Sequence, residues 1–237
     1  MNITVEKSLK RCLKRKITFT LGMMVAFLIT GSLGYAEESY FAKDTDIVIE
    51  KEGDVNLTTD YTVENKDNRY SAIGADGGNL NFKGDKLNIS NKITTGNMIF
   101  GVSNRENGTV NITANEINLN MSATEGAQIR GIRNVGNNKE ETKIVITGNI
   151  TGNFTTDTGL NRAVDAWTGA NTIINGNTDF TLTSTNGTIS AVGAGEGADL
   201  QFNGESNKIV INSGTGRVVG IENCRGTMSK VLKASTK

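Results

Sequence analysis

Acid–base chemistry in this 237-residue chain has to come from carboxylates, because the sequence contains no histidine. That absence excludes Ser-His-Asp and Cys-His mechanisms and H-E-x-x-H zinc sites, all of which need an imidazole. Pairs such as Glu140 with Glu141, or Asp157 with Asp165, are the kind that would serve a glycosidase or lyase. Most acidic residues are solvated surface charge, and these are read the same way. The stretch GEGAD, residues 195–199, matches part of the calcium-binding nonapeptide of parallel β-rolls. That site needs stacked copies, whereas GEGAD occurs once and the corresponding place in the first repeat holds Asn79. A turn is the expected role. GADGG, residues 74–78, lacks the G-K-[ST] of a phosphate loop and is expected to be a corner. Cys224 stands beside Arg225, which would lower a thiol pKa, but no base accompanies it. Trp167, the sole tryptophan, offers either a sugar-stacking platform or a cover over a corner of the core, and the cover is the expectation. No catalytic, cofactor-binding or metal-binding residue is assigned, and the chain is expected not to be an enzyme.

The elements that must carry these residues are unusual. With 28 Gly, no Pro and 5% aromatic residues, the chain has few large groups for a globular core. Its first 36 residues read as a targeting segment. Six basic residues from Lys7 to Lys16 precede an apolar run at 17–29, and the stretch Gly34-Tyr35-Ala36 offers small residues at the two positions signal peptidase reads, so cleavage is expected between Ala36 and Glu37. The rival is an uncleaved anchor, but the threonines, serine and glycines of 17–35 make a poor span. Removing the leader's 6 basic and 1 acidic residues from totals of 25 and 25 leaves 19 against 24, a net charge of −5. This is no footprint for nucleic acid. Only Cys224 remains beyond the leader, so no internal disulfide is available and stability must come from packing and backbone hydrogen bonds.

Repetition is the strongest signal. A small residue followed by a β-branched one recurs at Ile73, Val102, Ile132, Val164, Val192 and Ile221, with spacings of 29, 30, 32, 28 and 29. Behind these anchors the same alternation returns: Leu80, Phe82, Leu87 and Ile89 become Val110, Ile112, Ile117 and Leu119, and later Leu200, Phe202, Ile209 and Ile211. The third repeat carries a polar insertion at 136–141, expected to protrude at a turn. Short alternating runs separated by Gly, Asn and Asp mean three strands per repeat joined by tight turns. One repeat cannot bury its own apolar face, and stacking supplies the cover.

The expected fold is therefore all-β: a right-handed parallel β-helix of triangular section, with about six coils of about 29 residues at a spacing of roughly 4.8 Å. Missing proline fits strands paired on both edges, and asparagines in register are expected to form ladders. The parts are a signal peptide at 1–36, a cap or irregular first coil at 37–70, the repeats at 71–222, and an irregular tail at 223–237. The matches to the glycosylation pattern at Asn56 and Asn88 are what chance yields in so Asn- and Thr-rich a chain.

The basic leader, the "SAIGA…GGNLNFKG…LNIS" repeats and the Gly-, Asn- and Thr-rich composition resemble the passenger region of bacterial type V autotransporters, in particular the large surface proteins of fusobacteria, through about Glu222. The resemblance implies export, passage through an outer-membrane barrel made by the chain's own C-terminus, and display of a β-helix on the cell surface. Nothing after Val192 reads as membrane strands with aromatic girdles, so a truncated or frame-shifted passenger without its translocator is expected. The location expected is the cell surface, outer membrane or exterior, or the periplasm for a truncated chain. The expected role is adhesion or structural display, with the insertion at 136–141 and a loop at 162–169 as contact regions. A host-cell or matrix protein or glycan is the expected partner, alongside the export machinery. The rivals are a polysaccharide hydrolase or lyase and a trimeric adhesin head, though the latter repeats about every 14 residues and carries heptads, unlike this chain.

Overall fold

The computed structural model describes residues 39–61, 70–94, 97–224, 226–229 and 233–236. The leader and its cut at Ala36 and Glu37 lie outside the described residues. The described chain belongs to a compact unit spanning Ala36–Lys237 and contains strands but no helix.

Three strands make up the first coil: β1 (Tyr40–Lys43), β2 (Ile47–Glu50) and β3 (Asp54–Tyr61). The second has β4 (Tyr70–Asp76), β5 (Asn79–Lys83) and β6 (Lys86–Ile93). The next two coils have two strands each, β7 (Met98–Arg105) with β8 (Thr109–Ala123), then β9 (Gln128–Val135) with β10 (Lys143–Thr156). Three strands return in β11 (Asn161–Trp167), β12 (Asn171–Asn175) and β13 (Thr178–Ser184), and again in β14 (Ile189–Gly195), β15 (Asp199–Phe202) and β16 (Asn207–Ser213). The last are β17 (Val218–Cys224), β18 (Thr227–Ser229) and β19 (Lys233–Thr236).

Every strand pairs in parallel with its counterpart one coil away. The order β1-β4-β7-β9-β11-β14-β17 forms a seven-stranded sheet, and the remaining strands form a twelve-stranded one. Seven strands in line, joined by six steps, make about six turns of a β-solenoid. The cap therefore takes up the regular pattern, since β1, β2 and β3 lie in register on β4, β5 and β6. The tail was expected to be irregular, but it adds β18 on β15 and β19 on β16. Backbone pairing needs only an exposed edge, which β15 and β16 provide whatever the apolar pattern of the tail.

Side chains of like kind fall above one another inside the stack. Ile73, Val102, Ile132, Val164, Val192 and Ile221 are successive partners in one ladder. The first five are fully buried, whereas Ile221 is 43% exposed. Among the described residues β17 is the last strand of its sheet, so no further strand covers Ile221, and the core position that the repeat predicts for this anchor is not realised. On the second face Ile49, Phe82, Ile112, Ile146, Ile174 and Phe202 form a comparable column. Each fully buried side chain of this size contributes about 1.5–3 kcal/mol relative to exposure.

Two departures from a plain three-strand coil have local causes. First, β8 and β10 turn the corner between the second and third faces without interruption, and the register slips between Thr147 and Asn149. Gly148 sits there at φ 140°, and a Cβ on it would stand 1.8 Å from the Ala114 carbonyl oxygen, so only glycine fits. Second, the seven-stranded sheet's ladders skip the small residue of each anchor pair, at Ala72, Gly101, Gly131, Ala163, Ala191 and Gly220. A Cβ on Gly131 would meet the Phe154 ring, and Ala72, Ala163 and Ala191 are fully buried. The small residue and its β-branched neighbour thus both face inward in a repeated bulge, which is why the first must be small.

Asparagine ladders run along the outside. Asn88 Nδ2 donates to Asn56 Oδ1 at 2.9 Å and Asn118 Nδ2 to Asn88 Oδ1 at 2.8 Å. Asn111 to Asn81 and Asn203 to Asn175 repeat the arrangement.

Candidate binding face

The repeated bulge determines which residues share the outer face of the seven-stranded sheet. Alternation interrupted by two inward residues puts positions −2, +1 and +3 from each anchor outside. Around Ile132 these are Arg130, Arg133 and Val135; around Val164 they are Arg162, Asp165 and Trp167. Stacking in register brings them together, with Arg130 beside Arg162, Arg133 beside Asp165 and Val135 beside Trp167.

At the centre lies the Asp165 carboxylate, whose side chain is fully buried. Arg130 Nη1 and Arg133 Nη1 donate to its Oδ2, and Arg162 Nη1 and Trp167 Nε1 donate to its Oδ1. Arg162 also reaches across two coils: Nη2 donates to Ser190 Oγ at 2.9 Å and to Glu222 Oε2 at 2.6 Å. Burial pushes the Asp165 carboxyl up, but the guanidiniums of Arg130, Arg162 and Arg133 together outweigh it and hold the carboxyl below the usual aspartate range. Three cations against Asp165 and Glu222 leave the cluster with an excess positive charge.

Glycines in the adjoining coil let these long side chains lie against the sheet. A Cβ on Gly193 would approach Arg162 Nη1 to 3.0 Å, and one on Gly195 would come within 2.3 Å of Trp167 Cζ3. Trp167 therefore lies on the outer surface over Gly195, half-buried, with the Arg162 guanidinium 5.9 Å from the ring centre. It does not cover an interior corner. The segment 162–169, expected to be a loop, is strand up to Trp167, and only Thr168 and Gly169 turn, at φ 56° and 70°.

Beside this cluster a cleft of about 360 Å3 opens where β7, β9 and the start of the insertion meet. Met98, Phe100 and Val135 supply its apolar lining, and Arg105, Arg133, Glu106 and Asn137 its polar one. The Arg133 guanidinium stands 5.9 Å over the Phe100 ring. The start of the insertion forms one wall, and the segment is tied down at its middle and just past its end. The Thr142 hydroxyl donates to the Glu106 carbonyl, and Lys139 Nζ pairs with Asp199 Oδ2 at 2.9 Å. The loop expected to protrude keeps Asn137, Asn138, Glu140 and Glu141 exposed, while Lys139 ties it to Asp199 two coils along the stack.

The other residues singled out by chemistry are engaged elsewhere. Asp157 receives the backbone N–H groups of Thr158, Glu125 and Gly126 at a turn, which holds its carboxyl low, and Asp165 serves the arginines, so the two do not act as a pair. Glu140 pairs with Lys143 at 3.2 Å. Glu196 and Gly197 form the GEGAD turn at φ 53° and 78°, and Asp199 is the partner of Lys139. Asn79 hydrogen-bonds Asp46. Among the described residues no three His, Cys, Asp or Glu side chains converge as metal ligands. Cys224 ends β17, exposed and unbridged.

Reading the repeats one at a time passes over Phe100, Arg105, Arg130, Arg133 and Glu222. The signal that finds them is the set of residues at −2, +1 and +3 from successive anchors, where arginine, aromatic and acidic residues accumulate in the middle coils. In comparisons with protein-family models, curated proteins and solved structures, nothing matches the chain.

Proposed function

We propose that the chain is an exported passenger of the autotransporter kind, displayed outside the cell, whose role is non-catalytic adhesion through the outer face of the seven-stranded sheet. The observation that carries this reading is the contrast between faces. The seven-stranded sheet presents Arg105, Arg130 and Arg133, each partly exposed, with Trp167 and a cleft, whereas asparagine ladders occupy the outer surface of the other sheet. Arginine and tryptophan are the residues that most often dominate binding energy, and a stack of paired strands holds them rigidly, so little order is lost on contact. Asp157 and Asp165 are held by separate partners, backbone N–H groups and arginines, and do not form an acid–base pair. Many weak contacts, multiplied over many displayed copies, then give avidity.

Beads coated with the protein and applied to epithelial cells or matrix test the reading. Coated beads are expected to attach well above bare ones, and deleting 137–141 to lower attachment severalfold. Attachment no better than that of bare beads overturns it.

A further inference from the structure

We propose that the cleft between β7 and β9 is a binding site for a carboxylated sugar, a pyranose bearing one negative charge such as a uronic acid unit. This rests on the adhesive reading above and names its ligand. At about 360 Å3 the cleft is near the lower end of the range for small-ligand sites, roughly 300–1,000 Å3, and is suited to a ring and not to a polypeptide.

Each part of the lining has a counterpart on such a ligand. Met98 and Val135 are half-buried and offer apolar surface for the C–H face of a sugar ring. Arg133 is fixed in place, its guanidinium over Phe100 and its Nη1 on Asp165, so it meets a ligand already oriented. Arg105 faces the same cleft from the preceding coil, partly exposed, and among the described residues no hydrogen bond or ion pair occupies it. A guanidinium fork of this kind matches a carboxylate bidentately.

Charge and hydrogen-bonding capacity narrow the class further. Glu106 lines the cleft beside Arg105, and Asp165 already neutralises part of Arg133. The surplus therefore suits one negative charge and tells against a dianion such as a phosphate monoester. Glu106 accepts hydrogen bonds, Asn137 both donates and accepts them, and Arg105 donates, which is the mixture that recognises vicinal hydroxyls. A bare anion would use only the arginines.

Saturation-transfer NMR on the whole protein tests this with glucuronic acid, its uncharged methyl ester, glucose and glucose 6-phosphate. The free acid is expected to bind at least tenfold more tightly than the other three. Arg105→Gln is expected to weaken the acid at least tenfold with an unchanged circular dichroism spectrum, and Arg217→Gln, an exposed arginine outside the cleft, to leave it unchanged. Equal binding of acid and ester, tighter binding of the phosphate, or an Arg105→Gln protein that binds as before overturns the proposal. Beads that attach to cells while the acid fails to bind remove the ligand and leave adhesion standing; acid binding without attachment does the reverse.

Discussion

At the scale of single residues, Asp165 has the most at stake. It is a buried carboxylate that four side-chain donors from two adjacent coils depend on, and Arg162, which also reaches two further coils, is itself 7% exposed at the side chain. Removing one partner of a buried pair typically costs about 3–5 kcal/mol, because the remaining charges lose their compensation. Asp165→Asn is expected to cost about 3 kcal/mol in chemical denaturation at neutral pH, near the lower limit because Arg130 and Arg133 retain some water. The effect has a sign in pH. A carboxyl held low in the folded state stabilises fully above the ordinary aspartate pKa, about 3.9, and that contribution fades as pH falls through the lower folded value. The gap between wild type and Asp165→Asn is therefore expected to close in acid, and a gap constant from pH 7 to pH 2 contradicts this account. The components were visible in sequence, in "QIRGIRN" and "NRAVDAW", but their convergence was not. It needs the inward bulge at Gly131–Ile132 and Ala163–Val164, which shifts the outward positions by one and places Arg130 with Arg133, and Arg162 with Asp165, on one face at a spacing of three.

At the scale of elements, β10 shows how a gap in one column is filled from the next. Gly152 stands between Leu119 and Phe180 in the ladder, and a Cβ there would come within 2.6 Å of Phe154 and 2.7 Å of Phe180. The two rings lie 6.0 Å apart, tilted by 50°, in the space that the glycine leaves. Gly152→Ala is expected to destabilise by about 1–3 kcal/mol through overpacking, despite removing backbone freedom from the unfolded chain. A stability equal to wild type or greater in thermal melts rules out this packing. Strand content and the three-face layout were legible from alternation at Leu80, Phe82, Leu87 and Ile89. The fusion of strands in β8 and β10 was not, since a continuous corner depends on the slip at Gly148 and the Ala114 carbonyl opposite it.

At the scale of the whole stack, burial is a property of neighbours. Ile132 and Ile221 occupy the same place in their repeats, yet one is fully buried and the other 43% exposed. Ile132→Ala is expected to cost about 2–5 kcal/mol, and Ile221→Ala well under half as much, measured by denaturant midpoints of the full chain. Equal losses contradict the stacked arrangement of these coils.

The amino-acid sequence on its own determined that strands alternate, that they recur about every 29 residues and that a small residue precedes each anchor, because these follow from periods and side-chain sizes carried in every repeat. Tertiary structure alone decided which polar side chains meet, that Trp167 lies outside over Gly195, and that 136–141 is pinned by Lys139 to Asp199. Such contacts join residues some 30 or 60 positions apart, and a shift of one residue at a bulge or one coil in the stack would have brought different partners together.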